Sequence, residues 1–175
     1  VNIRKMKESE IELVRSQRIE CYSEYRNLVS ESHWNALEGT LSSNKDVSSN
    51  AEIFVAEIEG RVAGSIVLFP GKSDAYEWTV NSPDYPEIRM LAVHREYRGK
   101  KIGQALVQHC IETAEKQGYA YVGLHTADFM KSAMALYTKM GFERVPEFDF
   151  EPADDGVVVK GFRYSHPHVL GKQHS

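Results

Sequence analysis

Residues 87–106 read E-I-R-M-L-A-V-H-R-E-Y-R-G-K-K-I-G-Q-A-L, and the two ends of the stretch follow different periods. From Glu87 to Val93, Ile88, Met90 and Ala92 alternate with Arg89, Leu91 and Val93, the period of two expected of a strand with both faces occupied. From Ile102 onward, Ala105, Leu106, Cys110, Thr113 and Ala114 fall on one side of a helix, while Gln104, Gln108, Glu112 and Glu115 fall on the other. Between them lies a basic turn with Arg95, Arg98, Lys100 and Lys101, in which Gly99 and Gly103 let the backbone approach a ligand closely. A strand, a glycine-bearing basic turn and a helix start suit a phosphate: the first helical amides lack carbonyl partners and the helix dipole adds positive potential. Neither G-x-x-x-x-G-K-[ST] nor G-x-G-x-x-G is present, so the turn is not a P-loop or a dinucleotide fingerprint. Solvated charge on a surface loop is the alternative reading of the same residues.

Working outward, residues 51–69 predict an antiparallel hairpin turning at Glu59-Gly60-Arg61, with a second strand apolar enough to be central. The N-terminus predicts a strand over residues 1–6. A helix follows, opened by a capping box between Ser9 and Glu12, and a second, poorer helix covers Trp34 to Leu41. Residues 42–50 read as a loop. Residues 71–86, with Tyr76, Trp78 and Tyr85, read as a lid-sized insertion. Beyond the helix that follows the basic turn, capped at Gly118, come a strand from Tyr119 to His125 and a helix carrying Met130, Ala133, Met134 and Tyr137 on one side. Gly141 ends that helix, and strands over Phe142–Phe150 and Val157–Tyr164 flank the acidic turn E-P-A-D-D-G. The expected architecture is one domain over 1–165 with a frayed tail over 166–175.

The chain of 175 residues has a net charge of −4, which argues against a nucleic-acid surface and makes the basic turn a local feature suited to a small anion. Its two cysteines, Cys21 and Cys110, sit in helical patterns and read as reduced core residues. No run has the length of a membrane span and the first residues lack a signal-peptide core, so a cytoplasmic location without membrane contact is expected.

The stretch E-I-R-M-L-A-V-H-R-E-Y-R-G-K-K-I-G-Q-A-L-V, followed about thirty residues later by A-x-x-L-Y-T-K-M-G-F, resembles the GNAT superfamily of acyl-CoA-dependent N-acyltransferases. Arg98 and Gly103 match the ends of its motif [QR]-x-x-G-x-[GA], and Tyr137 with Gly141-Phe142 matches its tyrosine helix. Two positions depart from the pattern: Lys101 stands where the motif has its middle glycine, and Met130 where many members have asparagine.

The resemblance implies an α/β fold built on a twisted, mostly antiparallel mixed sheet of about seven strands, splayed between strands 4 and 5, with helices on both faces. It also implies acetyl transfer from acetyl-CoA to an amine, without a metal. The pantetheine arm would lie along residues 88–93, including Leu91, Ala92 and Val93, and along 121–125. The diphosphate would lie on Arg98, Gly99, Lys100, Lys101, Ile102, Gly103 and Gln104, and Met130 and Ala133 would flank the arm. An amine with a pKa of about 10.4 must lose a proton before it attacks, and a thiolate whose thiol has a pKa of about 8.5 leaves more readily beside a donor. Tyr137 is the candidate donor and Glu87 the candidate base, acting through a water. His125 is held in reserve because an imidazole titrates near neutral pH. A backbone amide near Leu91 would steady the oxyanion.

The acceptor is expected to be a small-molecule amine in preference to a peptide amine, and a homodimer is compatible with the chain. Asp149, Glu151, Asp154 and Asp155, with Glu77 and Asp84, could draw in a cation, or could simply be soluble acidic turns. The rival reading is a non-catalytic acyl-CoA-binding module of the same fold. A nucleotide-binding domain is the third reading.

Overall fold

In the computed structural model, which describes residues 1–48, 50–71 and 84–173, the chain folds around one seven-stranded sheet. The strands are β1 (Asn2–Lys5), β2 (Glu52–Ile58), β3 (Arg61–Phe69), β4 (Glu87–Val93), β5 (Tyr121–Ala127), β6 (Glu143–Arg144) and β7 (Val159–Ser165). They lie in the order β1-β2-β3-β4-β5-β7-β6. Every neighbouring pair is antiparallel except β4 and β5, which are parallel. The β2–β3 turn puts Glu59 at φ +51° and Gly60 at φ +79°, the paired left-handed geometry that matches strand twist in a two-residue hairpin. As the apolar run predicts, β3 is central and is buried from Ala63 to Phe69.

Helices cover both faces. On one, α4 (Ile102–Lys116) and α5 (Lys131–Lys139) pack Leu106, Val107, Cys110 and Tyr137 against Phe54, Ile66, Leu68 and Phe162. On the other, α1 (Ile11–Tyr22) and α2 (Glu31–Ser42) bring Val14 and Leu41 onto Val55, Val67, Phe69 and Met90. The short helix α3 (Lys45–Ser48) interrupts the segment expected as a loop. It also supplies Asp46, whose buried carboxylate meets Arg15 at 2.8 Å and Arg18 at 2.6 Å. Both long helices of the first face end on a left-handed glycine. After α4, Gly118 sends its N–H to Glu115 and Tyr119 sends its N–H to Ala114. After α5, Gly141 and Phe142 do the same to Thr138 and Tyr137.

Several local expectations are corrected. The cap before α1 is not Ser9 with Glu12: a 3-10 turn over Glu8–Glu10 comes first, and the Glu10 carboxylate accepts from the Lys7 amide at 2.8 Å. Helix α2 begins at Glu31, ahead of Trp34, because the Ser30 hydroxyl accepts from the His33 amide at 3.1 Å. The strand expected over Phe142–Phe150 stops at Arg144. Pro146, which has no N–H for the ladder, opens a 3-10 turn over Pro146–Phe148, and only Phe150 returns to bridge Val159. The segment from residue 166, expected to fray, carries α6 (Pro167–Gln173), and His166 is fully buried with its ring nitrogens 2.8 and 2.9 Å from the carbonyls of Tyr119 and Ile111. Both cysteines are free thiols. Among the described residues no helix is long and apolar enough to cross a membrane. Tyr76, Glu77 and Trp78 lie outside the described residues. Tyr85 rests on Tyr121 with ring centroids 5.7 Å apart.

Candidate active site

The site grows from one defect in strand pairing. Against β3, Ser65 faces Ala92 and Val67 faces Arg89, so Ile66 alone is opposed by Met90 and Leu91. That extra residue is a β-bulge, and Met90 takes φ +58° within it, a conformation that a side chain other than glycine's adopts only with strain. A bulge bends its strand. β4 pairs with β5 only through Glu87–Gly123 and Ile88–Leu124, and from the bulge onward the two strands separate. The opening becomes a cleft lined on its strand sides by Ile88–Leu91 and Leu124–Ala127. Tyr22, Tyr25, Val29, His33 and Leu37 close it from the side of α1 and α2, and Phe129, Met130 and Tyr137 from the side of α5. Backbone edges left open between two diverging parallel strands can take an extended polar ligand as an added strand.

Beside this cleft the basic turn leads into α4. Lys101 is the N-cap and holds φ +61°, the left-handed conformation that the family motif fills with glycine, and no side chain caps the helix. The amides of Ile102, Gly103 and Gln104 therefore open a 15-residue helix towards an anion. Gly103 brings this first turn against Leu91, Val93 and Leu136, where a Cβ would meet their methyl groups at 3.7 to 4.0 Å, so the cradle adjoins the far end of β4. Gly99 takes φ +80°. Lys100 lies over the Tyr97 ring at 5.6 Å and Lys101 is exposed. Arg98 is less free than its place in the motif suggests: Glu24, in the turn after α1, holds it at 3.0 Å.

Of the residues expected at the arm, Leu91 and Met130 line the cleft. Ala92 is buried in the β3–β4 ladder, Val93 pairs with Gly64 and Ala133 packs against the core beneath. Met130 begins α5 without a side-chain cap. Tyr137 lines the cleft and is 7% exposed. Burial, with smaller contributions from Tyr22 and Tyr25, pushes its phenol well above the ordinary tyrosine range, so it holds its proton at neutral pH. Burial likewise raises Tyr22 to about 12, with Arg89 pulling the other way.

The candidate base and its reserve come together. Glu87 and His125 sit on adjacent strands with Oε1 and Nδ1 3.0 Å apart, and both side chains are buried. Only His125 lines the cleft; Glu87 lies behind it. Nε2 of His125 is 2.9 Å from the Phe148 carbonyl, an acceptor to which that nitrogen must donate.

A second histidine with a carboxylate was missed by the sequence reading. His33, in the first turn of α2, places Nδ1 2.9 Å from Asp155 Oδ2. Asp155 also accepts from the Ser30 amide at 2.9 Å and the Val157 amide at 3.2 Å. Burial opposes its charge, but the Ser30 amide, His33 and the Val157 amide together hold the carboxyl down at about 2. Of the other acidic residues of this turn, Asp149 grips Arg144 at 2.6 Å and Glu151 accepts from the Gly156 amide at 2.8 Å, while Asp154 is exposed. Arg89 adds a cation to the cleft wall.

The comparisons agree with this geometry. A probable N-acetyltransferase, camello, of Xenopus tropicalis is 33% identical over 98 residues, 56% of this chain and 41% of that protein. N-acetyltransferase family 8 member 3 of Rattus norvegicus is 35% identical over 103 residues, 58% of this chain and 43% of its own. The chain thus spans less than half the length of these relatives. Among solved structures, the PaiA N-acetyltransferase of Thermoplasma acidophilum in complex with coenzyme A superposes with a TM-score of 0.65 at 18% identity, covering 94% of this chain and 98% of that one, a likeness of fold. The bulged strand, the splay and the uncapped helix start all lie within residues 12–142, which match the description "Acetyltransferase (GNAT) family", and the chain belongs to that family.

Proposed function

We propose that the chain transfers an acetyl group from acetyl-CoA to an amine by direct attack. The observation that carries this reading is the β4–β5 splay, in which two parallel strands part after two residue pairs beside an uncapped helix N-terminus. Open strand edges suit an amide-bearing arm, and the amides of Ile102–Gln104 with Lys100 and Lys101 suit a diphosphate. Tyr137, buried against the cleft and protonated at neutral pH, gives its proton to the departing sulfur. The Met90–Leu91 peptide at the bulge is the candidate donor to the oxyanion. The coenzyme A held by the PaiA relative of the same fold supports the choice of donor.

Aromatic walls from Tyr22, Tyr25 and Phe129 favour a small amine over a peptide tail. The rival reading, a binding module without chemistry, rests on the missing glycine at Lys101 and the missing asparagine at Met130. Lys101 adopts the left-handed conformation itself, so the first of these departures leaves the course of the loop unchanged.

The test is free-thiol release from acetyl-CoA with spermidine, an aminoglycoside, free amino acids and a lysine-bearing peptide, beside calorimetric titration of CoA. Y137F should lower turnover by about 100-fold with CoA affinity unchanged. Coenzyme A binding with no turnover on any amine would instead favour the binding module.

A further inference from the structure

We infer that His33, held by Asp155, is the base that deprotonates the acceptor amine. The inference rests on the acetyl-transfer reading above. Asp155 is an ionised carboxylate and can only accept, so its 2.9 Å contact requires Nδ1 of His33 to carry a proton. In the neutral imidazole the lone pair then belongs to Nε2. Among the described residues Nε2 has no hydrogen-bond partner, and His33 is part of the cleft wall. This is the arrangement a general base needs: a carboxylate fixes the tautomer and leaves the other nitrogen of a cleft-wall ring free to accept a proton.

The carboxylate is itself fixed. The Ser30 and Val157 amides hold Asp155 from two sides, and Ser30 also caps α2 through the His33 amide, so the cap that starts the helix orients the ring. His33 and Tyr137 line the same cleft from opposite sides of the splay, one from α2 and one from α5.

The proton balance closes with these two groups. Nε2 of His33 takes one proton from the ammonium and later releases it to water. The freed nitrogen lone pair forms the C–N bond as the carbonyl π pair moves to oxygen. When that pair returns, the C–S bond breaks and its electrons leave on sulfur. The proton that nitrogen sheds as the amide forms ends on sulfur by way of the Tyr137 hydroxyl, which is regenerated. His33 is then the catalytic residue and Asp155 its positioning residue.

H33N separates chemistry from architecture, because the asparagine amide can still donate to Asp155 from the place of Nδ1 while Nε2 is gone. With the fastest amine of the panel, H33N should lose about 100-fold in kcat with its melting temperature and KM for acetyl-CoA close to wild type. Added imidazole should restore H33G by about tenfold or more, and D155N should lower kcat less than H33N does. A folded H33N that keeps wild-type kcat, or an H33G indifferent to imidazole, overturns the assignment and leaves acetyl transfer standing. A wild type that binds CoA but turns over no amine overturns the transfer reading and this inference with it.

Discussion

Two histidine–carboxylate pairs flank the cleft, and they differ in what they leave open. In Glu87–His125 one ring nitrogen donates to the Phe148 carbonyl and the other lies 3.0 Å from the carboxylate. In His33–Asp155 one nitrogen is held and the other is open. The first pair is built into adjacent strands, where the ladder fixes it. The second spans α2 and the turn before β7, two elements that meet only in the folded chain. A ring with one nitrogen given to a backbone carbonyl and the other turned to a carboxylate suits shape and local charge, whereas a cleft-wall ring with one nitrogen left to accept suits proton transfer.

The largest expected contrast is in kcat. H33N should fall by about 100-fold, whereas E87Q should stay above that loss, within about tenfold of wild type. If His33 is the base, the double variant H33N/E87Q should then resemble H33N alone, since the second substitution removes nothing further from that proton transfer. Equal losses in the two single variants would erase the distinction between the pairs. Y137F comes next, reading the opposite end of the proton path with CoA affinity as its control.

A smaller effect is acid stability. Asp155 is lowered from 3.8 to about 2, so its contribution to stability is complete above the unfolded value and is lost as pH falls through the folded one. Urea unfolding between pH 4.5 and about 2 should steepen for wild type relative to D155N, whose missing carboxyl removes that dependence. The smallest concerns the cradle. K101G exchanges a strained left-handed lysine for the residue that takes φ +61° freely, and should raise stability by about 1 kcal/mol in denaturant titration.

How much of this could be read beforehand follows from distance along the chain. The hairpin, β4, α4 and the two glycine caps are written in local periods and turn residues, and they form as expected. The splay was implied by family resemblance, but its cause, a bulge at Met90, leaves no mark in an alternating run. Glu87 and His125 were singled out separately from strand ends, yet nothing local says that they touch or that His125 stands in front. His33 carried no signal. Its partner is 122 residues away, and the helix expected from Trp34 begins one residue too late to include it; Ser30 capping α2 brings it in. Asp155 stood out only as one of several acids in a turn.

The central claim is that the β4–β5 splay and the start of α4 form one acyl-CoA site, and hydrogen exchange with and without CoA tests it most directly. The account predicts slowed exchange over Leu91–Val93, Leu124–Ala127 and Ile102–Gln104 together, with β1 and β2 unchanged. Protection absent from these segments, or confined to the outer strands, would contradict it.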